Sequence, residues 1–416
     1  MAEVVASDES GAGVAAGSPI REVLSSPDFR NYWVAQFLAA LGNGALRFVV
    51  VWLALELSTN PSAPGLLGVA LGLPGLVLII PAGVWSDRLD RRRLVVNAQL
   101  AAAAALAVAA TCAWLGIMSL PLAALLAVAT GSALAISAPA LLALVPSLVA
   151  PHRLMTGVAL QGMGQNAALL FGAVAGGGAI AVGGIGGAFA LLAVLQAIAA
   201  GAMFRVRLAA RAQQPRLGMR GDIGHGLRFA FGNEPVRSLL LIGLLMGFIW
   251  GIVSILLLEV AKNDLGADAF QTSLLFSALG VGLLGTSLLL ASRQHLRRPG
   301  LLLACSVSTL LGGGVLVMGL STSYALTLFV MLAWGIGGGI TMTLQRTLLQ
   351  RHTPDELMGR VMSVNAFALI GSFPVAAAVA SVLSSTVGSA DGLAVTGVVS
   401  IAIAIVLGWR RPVRTA

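Results

Sequence analysis

The chain has 416 residues, of which 58% are hydrophobic and only 10% are charged. A soluble protein of this length needs far more charge to cover its surface, and the mean hydropathy of +0.94 predicts a polytopic membrane protein instead. The formal net charge of +9 raises the question of a nucleic-acid partner, which the positions of the basic residues answer below. Cys112 and Cys305 each lie in an apolar run, so we expect neither a disulfide nor a metal site from them.

The N-terminal segment 1–28 combines small residues with five acidic ones. It lacks the basic start and the apolar core of a secretory signal peptide. We predict that it is a disordered cytoplasmic tail, and that residues 410–416 form a second short tail on the same side.

Apolar runs long enough to cross a bilayer follow one another from there to the C-terminal tail. They predict an all-α integral membrane protein with twelve transmembrane helices. The predicted spans are 31–57, 64–85, 94–116, 120–145, 157–182, 186–204, 238–260, 269–291, 300–320, 323–345, 361–385 and 392–409.

The basic residues orient these spans. Of the 25 Lys and Arg residues, 23 lie in the two tails or in the loops on the same side of the membrane as the tails. By the positive-inside rule both termini are cytoplasmic, in the plasma (inner) membrane of the cell. The positive charge is thus a topology signal that also contacts lipid headgroups, and we expect no nucleic-acid partner. Arg47 and Lys262 are the two cations that this rule does not explain.

The chain repeats itself at an offset of 203 residues. The loops 151-PHRLMTGV-158 and 354-PDELMGRV-361 share Pro, Leu, Met and Val at that offset. In the first and seventh spans, Gly44 and Glu56 recur as Gly247 and Glu259. We therefore predict two parallel six-helix halves, with a transport site between them. Their bounds are 29–204 and 238–409, joined by a cytoplasmic linker, 205–237, with an interfacial helix.

The loop between the second and third spans reads 83-GVWSDRLDRRRLV-95. It resembles the signature loop of the major facilitator superfamily, and Asp90 stands where that pattern has its second glycine. The resemblance implies a cytoplasmic gate that holds the two halves together, and a loop that only fixes orientation is the alternative. The gate residues are Gly83, Asp87, Arg88, Arg91 and Arg92, with Arg360 in the second half.

Three segments narrow the resemblance to one branch of that superfamily. The segments 27-PDFRNYWVAQFLAALGN-43, 87-DRLDRRR-93 and 359-GRVMSVNAF-367 resemble the branch that includes the enterobactin exporter and macrolide efflux pumps. In addition, 172-GAVAGG-177 resembles a Gly-Pro-x-x-Gly-Gly exporter motif in which Ala173 replaces the proline. A packing seam of small residues is the alternative for that stretch.

Polar residues within the spans are the candidate substrate ligands. In the superfamily the first, fourth, seventh and tenth spans line a central cavity, and the resemblance places most of these residues around it. For a single Ser, Thr or Asn, a hydrogen bond between helices is the alternative. The candidates are Gln36, Asn43, Arg47, Ser137, Gln165, Trp250, Ser254, Trp334, Thr341 and Asn365.

Arg47 lies near the middle of the first span, on the same helical face as Gln36 and Asn43. An arginine at that depth is a functional-site candidate, with a structural arginine bonded to carbonyls as the alternative. No Asp or Glu occupies mid-depth in any span, which disfavours a cationic substrate and favours a neutral or anionic one. Glu56 and Glu259 are the candidates for proton coupling, and passive facilitation stays open.

These features predict an alternating-access exporter, proton-coupled, of a small neutral or anionic amphipathic metabolite, siderophore or drug. The alternative is a lipid or lysophospholipid translocator, because 35-AQFLAALGNGAL-46 also resembles such proteins. We expect no enzymatic activity, since the chain has no HExxH, no paired mid-span carboxylates and no Ser-His arrangement in the bilayer. We expect a monomer that needs no cofactor.

Overall fold

The computed structural model describes residues 19–150, 153–207, 229, 232–291 and 299–408, and these ranges contain helices and short connections but no β-strand. A short helix, Pro19–Ser25, precedes the first membrane helix. The helices of the first half are α1 (Pro27–Leu57), α2 (Ala63–Arg88), α3 (Arg91–Trp114), α4 (Leu120–Leu148) and the long helix Leu154–Phe204.

The long helix is two membrane helices joined without a loop. It bends at Gly184, whose φ of +62° lies in the left-handed region that glycine adopts readily. Its arms are α5 (154–183) and α6 (185–204). After α6 the backbone N–H of Arg207 donates to Asp28 at 2.8 Å, so the chain has returned to the end of the bundle where α1 begins. We call that end the terminal face, and the other end the opposite face.

The second half repeats this plan. Its helices are α7 (Glu234–Asn263), α8 (Ala269–Ala291), α9 (299–320), α10 (Tyr324–Arg351), α11 (Asp355–Val387) and α12 (Ser389–Gly408). Here α9 runs from Pro299–Cys305 through a π-helical turn, Ser306–Gly312, into Gly313–Leu320.

The prediction of an all-α membrane protein is confirmed. In the described part of the chain, ten helices are long and apolar enough to cross a membrane, with α5 and α6 together as one of them. The apolar stretch Ala63–Leu78 of α2 is shorter. Counting α2 and both arms of the bent helix gives the twelve predicted spans.

Several helix ends differ from the predicted ones, because helices continue past their apolar runs where polar residues cap them. The Ser26 hydroxyl accepts from the backbone N–H of Phe29 at 3.4 Å, and Asn233 does the same for Val236 at 3.2 Å, so α1 and α7 begin four residues early. Part of the predicted tail, 19–28, is helical. Residues 1–18 and 410–416 and nearly all of the predicted interfacial helix lie outside the described residues.

The same packing pattern recurs six helices later. In the first half α1 packs against the bent helix and α2 against α4, while α3 packs against α4 and the bent helix. In the second half α7 packs against α11 and α12, α8 against α10, and α9 against α10 and α12. This recurrence agrees with the internal repeat in the sequence.

The two halves meet mainly along two helix pairs, α2 with α11 and α5 with α8. At the opposite face the first pair approaches closely because α2 carries glycine there. A Cβ built on Gly65 would overlap the Cβ of Ser381 and lie 2.7 Å from the carbonyl oxygen of Ala377. Without a hydrophobic driving force in lipid, such close contact between small residues is what holds membrane helices together.

We therefore predict that Gly65→Leu destabilises the closed arrangement of the halves. The added side chain has to displace α11, which costs about 1–3 kcal/mol for overpacking, and the apparent unfolding temperature of the purified protein should fall by several degrees. Gly75→Leu on the same helix is the matched control, because a Cβ at Gly75 meets nothing within 4 Å. Equal unfolding temperatures for the two variants would contradict the close approach of α2 and α11.

Candidate functional site

Arg47 stands where α1 meets the second half. Its side chain is exposed although those of its neighbours Leu46 and Phe48 are buried. The guanidinium carbon lies 4.5 Å from the ring centroid of Phe373 on α11. Because this contact reaches the second half and the side chain is still exposed, Arg47 lies at the boundary between the halves, which we call the gap.

Arg47 forms no hydrogen bond or ion pair with another described residue, so its donors are available. An arginine held by backbone carbonyls, the structural alternative, would show those carbonyls as hydrogen-bond acceptors. The arrangement in the described part of the chain instead favours a cation that meets a ligand in the gap. Phe373 carried no signal in the sequence, since it is one phenylalanine among many apolar residues.

Toward the terminal face, Gln36 and Asn43 share the helical face of Arg47 on α1. Gln36 Nε2 donates to the carbonyl of Gln161 on α5 at 3.3 Å, so half of this amide joins two helices. Gln36 Oε1 and Asn43 Oδ1 are buried and have no partner among the described residues. Unpaired amide oxygens are costly in a membrane interior, but because both are buried neither is accessible to a ligand beside Arg47 in this conformation.

Two predicted ligands of the second half are engaged in bonds between helices. Gln345 Nε2 donates to Asn365 Oδ1 at 2.7 Å and to the carbonyl of Leu239 at 3.0 Å. Thr341 Oγ1 lies 3.1 Å from Ser306 Oγ. These contacts join α7, α9, α10 and α11, and they favour the alternative of interhelical bonding for Thr341 and Asn365.

The remaining candidate ligands are dispersed. Trp250 and Trp334 stack with 5.7 Å between ring centroids and an interplanar angle of 1°, which joins α7 to α10. Ser137 and Ser254 donate to carbonyls of their own helices, at 3.1 Å and 2.9 Å. Gln165 is exposed on α5. Arg47, Asn43 and Gln36 thus share one face of α1, and within the described part of the chain no hydrogen bond or ring contact joins them to the two tryptophans.

The signature loop can be followed only in part. The side chains of Asp87, Arg88 and Arg360 lie outside the described residues, as do the surroundings of Gly83. Arg91 Nη1 donates to the carbonyl of Ala143 at 3.0 Å, and Arg92 Nη1 to that of Val206 at 3.1 Å. Asp90 Oδ1 caps α3 by accepting from the N–H groups of Arg92 and Arg93. These bonds consolidate the first half, which is a role that the sequence did not predict for them.

The opposite face carries contacts between the halves that the sequence also missed. Lys262 Nζ, at the end of α7, donates to the carbonyl of Leu55 on α1 at 2.9 Å and lies 5.1 Å from the Trp52 ring. Ser381 Oγ on α11 donates to the carbonyl of Ser62 at 3.0 Å. We call Lys262, Trp52, Leu55, Ser62 and Ser381 the opposite-face seal. The signal in the sequence that could have indicated this seal was Lys262, because it is the single cation in the loops on that side of the membrane.

The two coupling candidates differ in their surroundings. Glu56 is exposed and accepts from Trp52 Nε1 at 2.7 Å, beside the opposite-face seal. Glu259 is only 5% exposed and accepts from Ser384 Oγ on α11 at 2.8 Å. Glu259 is therefore the carboxyl that is enclosed between helices, and Glu56 is the one that solvent reaches.

Comparison with known proteins identifies this arrangement. The family model of the Major Facilitator Superfamily matches residues 32–373, most of the chain. The chain belongs to the major facilitator superfamily. It is 27% identical over 337 residues to the enterobactin exporter EntS of Citrobacter koseri, covering 80% of each protein. With EntS of Escherichia coli O81 it shares 26% over 339 residues, again 80% of each.

Solved structures agree on the fold. A bacterial homologue of the human lysosomal transporter Spinster, inward-facing and unoccupied, superposes with a TM-score of 0.71 at 12% identity, over 94% of this chain and 96% of that one. The nucleoside transporter NupG gives a TM-score of 0.71 at 12% identity, over 92% and 98%. The superfamily member described here is a multi-pass membrane protein and a secondary transporter.

The opposite-face seal leads to a direct prediction. Lys262→Met removes a charged hydrogen bond and a cation–π contact, together about 1–2 kcal/mol, and should open the opposite face more often. Ala377→Cys, in a variant with Cys112 and Cys305 replaced by Ser, is a reporter, because Ala377 is fully buried against α2. A maleimide should label it about 5- to 10-fold faster in the Lys262→Met protein.

Lys262→Arg is the matched control, since arginine keeps both the charge and the donors. Its labelling rate should stay near that of the parent. If Lys262→Met also left the rate unchanged, Lys262 would not hold the two halves together.

Proposed function

We propose that this protein is an alternating-access exporter of a small neutral or anionic amphipathic compound, such as a siderophore or drug. The observation that carries the proposal is Arg47, an available cation in the gap between the halves that also contacts Phe373 of the second half. The similarity to the enterobactin exporters over 80% of the chain supports export as the direction and a siderophore as one class of cargo. We propose that the transporter acts as a monomer.

The orientation of the bundle supports loading from the cytoplasm. We place the protein in the inner membrane with its basic loops and both termini in the cytoplasm. The terminal face is then the cytoplasmic face of the bundle. The opposite-face seal then closes the outer side, and Arg47 is approached from the cytoplasm. This is the state in which an exporter takes up its cargo.

The charges in the spans support the selectivity. Within the described helices, the acidic side chains lie at helix ends, as Glu56 and Glu259 do. A cationic cargo would approach Arg47 with no carboxylate at the same depth to balance the repulsion. A neutral compound with acceptor oxygens, or an anion, gains charge-assisted hydrogen bonds from the guanidinium instead.

For coupling, the surroundings support Glu259 over Glu56. The Glu259 carboxylate lies between α7 and α11 and accepts from Ser384. Its protonation would replace a charged acceptor by a neutral one and so weaken the hydrogen bond that joins the two helices. The helix α11 also carries Ser381 of the opposite-face seal. A proton that enters from the outer side can thus act on the helix that closes that side. Passive facilitation is the competing possibility.

Arg47→Ala should reduce export at least tenfold and leave the amount of protein in the membrane unchanged. The fold should tolerate the change, because Arg47 makes no hydrogen bond to another described residue. The measurement is efflux from cells that lack their native pumps, with untargeted mass spectrometry of both compartments and quantification of the membrane protein. Thr111→Ala is the matched control and should retain most of the export, because this exposed hydroxyl on α3 bonds only the Ala107 carbonyl of its own helix. Loss of the protein together with export would instead show that Arg47 is structural.

Glu259→Gln should make the remaining export insensitive to collapse of the proton gradient, whereas Glu56→Gln should leave the sensitivity intact. Glutamine keeps the shape and an acceptor for Ser384 but cannot take up a proton. The measurement is the same efflux assay with and without a protonophore. Export by the unmodified protein that ignores the protonophore would exclude proton coupling and leave passive facilitation.

A further inference from the structure

Phe373 connects the candidate cargo site to the conformation of the protein. It belongs to α11 in the second half, whereas Arg47 belongs to α1 in the first half. The guanidinium carbon lies 4.5 Å from the ring centroid, over the ring face. Any rocking of the halves that separates α11 from α1 and α2 therefore changes this contact.

The Phe373 ring is fixed in place. Its side chain is 6% exposed, and glycines on two further helices make room for it. A Cβ built on Gly72 of α2 would lie 2.9 Å from Phe373 Cδ1, and one on Gly251 of α7 would lie 3.6 Å from Phe373 Cδ2. The ring is thus a rigid surface against which the flexible arginine side chain is ordered.

Contact with the ring leaves the arginine able to bind an anion. The guanidinium is planar, and its five N–H donors point outward in that plane. Because the guanidinium carbon lies over the Phe373 ring, the N–H donors that point away from the ring are left to form two parallel bonds to one oxyanion. Ordering the side chain in advance lowers the entropy that binding costs.

We propose that Phe373 is a positioning residue that makes the anion affinity of Arg47 depend on conformation. The affinity is high while the opposite face is closed and Phe373 orders the guanidinium. It falls when the opposite face opens and α11 moves away. The ligand class that fits is a compound with a planar two-oxygen anion, such as a carboxylate, beside an apolar body. This inference rests on the proposed cargo site at Arg47 and adds a residue and a charge class to it.

The state dependence has a functional consequence. A cargo held more tightly in the closed state is taken up at the terminal face and released more readily at the opposite face. By reciprocity, the anion also stabilises the closed state by the same factor. Since ordering one long side chain corresponds to about a 3- to 10-fold change in affinity, the effect assists release without blocking the transition.

The test is isothermal titration calorimetry of the purified full-length protein with 2-naphthoate and with its neutral amide, 2-naphthamide. The parent should bind the carboxylate more tightly than the amide, and Arg47→Ala should lose that preference. Phe373→Leu and Phe373→Met should weaken 2-naphthoate about 3- to 10-fold and leave 2-naphthamide unchanged. Phe373→Tyr, which keeps the ring, should remain near the parent.

A second readout separates positioning from simple loss of packing. In the Ala377→Cys reporter, 2-naphthoate should slow maleimide labelling of the parent, and this protection should shrink in Phe373→Leu, while 2-naphthamide should protect neither.

The outcomes distinguish the inference from the proposed function. A parent that shows no preference for the carboxylate contradicts the anion site at Arg47 itself. A preference that Arg47→Ala abolishes but that Phe373→Leu and Phe373→Met leave intact overturns the role of Phe373 alone. Equal weakening of both probes by the Phe373 variants would also overturn it, since that pattern indicates a packing defect.

Discussion

The interface between the two halves is the constraint on which the proposed functional contacts depend, and two cation–π contacts cross it in opposite directions. Arg47 of the first half lies over Phe373 of the second, and Lys262 of the second half lies over Trp52 of the first. These are the two cations of the chain that the positive-inside rule leaves unexplained. In a membrane interior the hydrophobic effect does not drive helices together, so directed contacts of this kind hold the halves in place.

Close backbone approach is the condition that allows these contacts. The small residues along α2 bring α11 near enough for Ser381 to bond the carbonyl of Ser62. The same proximity brings Phe373 beneath Arg47. A bulky residue between α2 and α11 would break both contacts at once, because α11 carries Phe373 as well as Ser381. The glycines of α2 therefore support the cargo site as well as the closure.

The sequence predicts the spans well because a backbone in lipid has to satisfy its own hydrogen bonds, so each apolar run becomes a helix. It predicts the ends of the helices less well. Gly184 forms a bend where a loop was expected. The helix α11 begins at Asp355, although its apolar run starts later. Arg47 could be singled out as a candidate from the sequence because a charge at mid-depth is conspicuous, and its role as a ligand stays a prediction. Phe373 could not be singled out, since its role depends on a contact between residues far apart in the chain.

The helix α11 joins the proposed cargo site at Arg47 to the proposed coupling site at Glu259. Phe373 and Ser384 are eleven residues apart on it, which places them on the same side, about three turns apart. One contacts Arg47, and the other donates to Glu259. A cargo that binds the closed state more tightly makes that state harder to leave. The energy for opening must then enter elsewhere on the same helix, and the end of α11 that bonds a buried carboxyl near the opposite face meets that requirement.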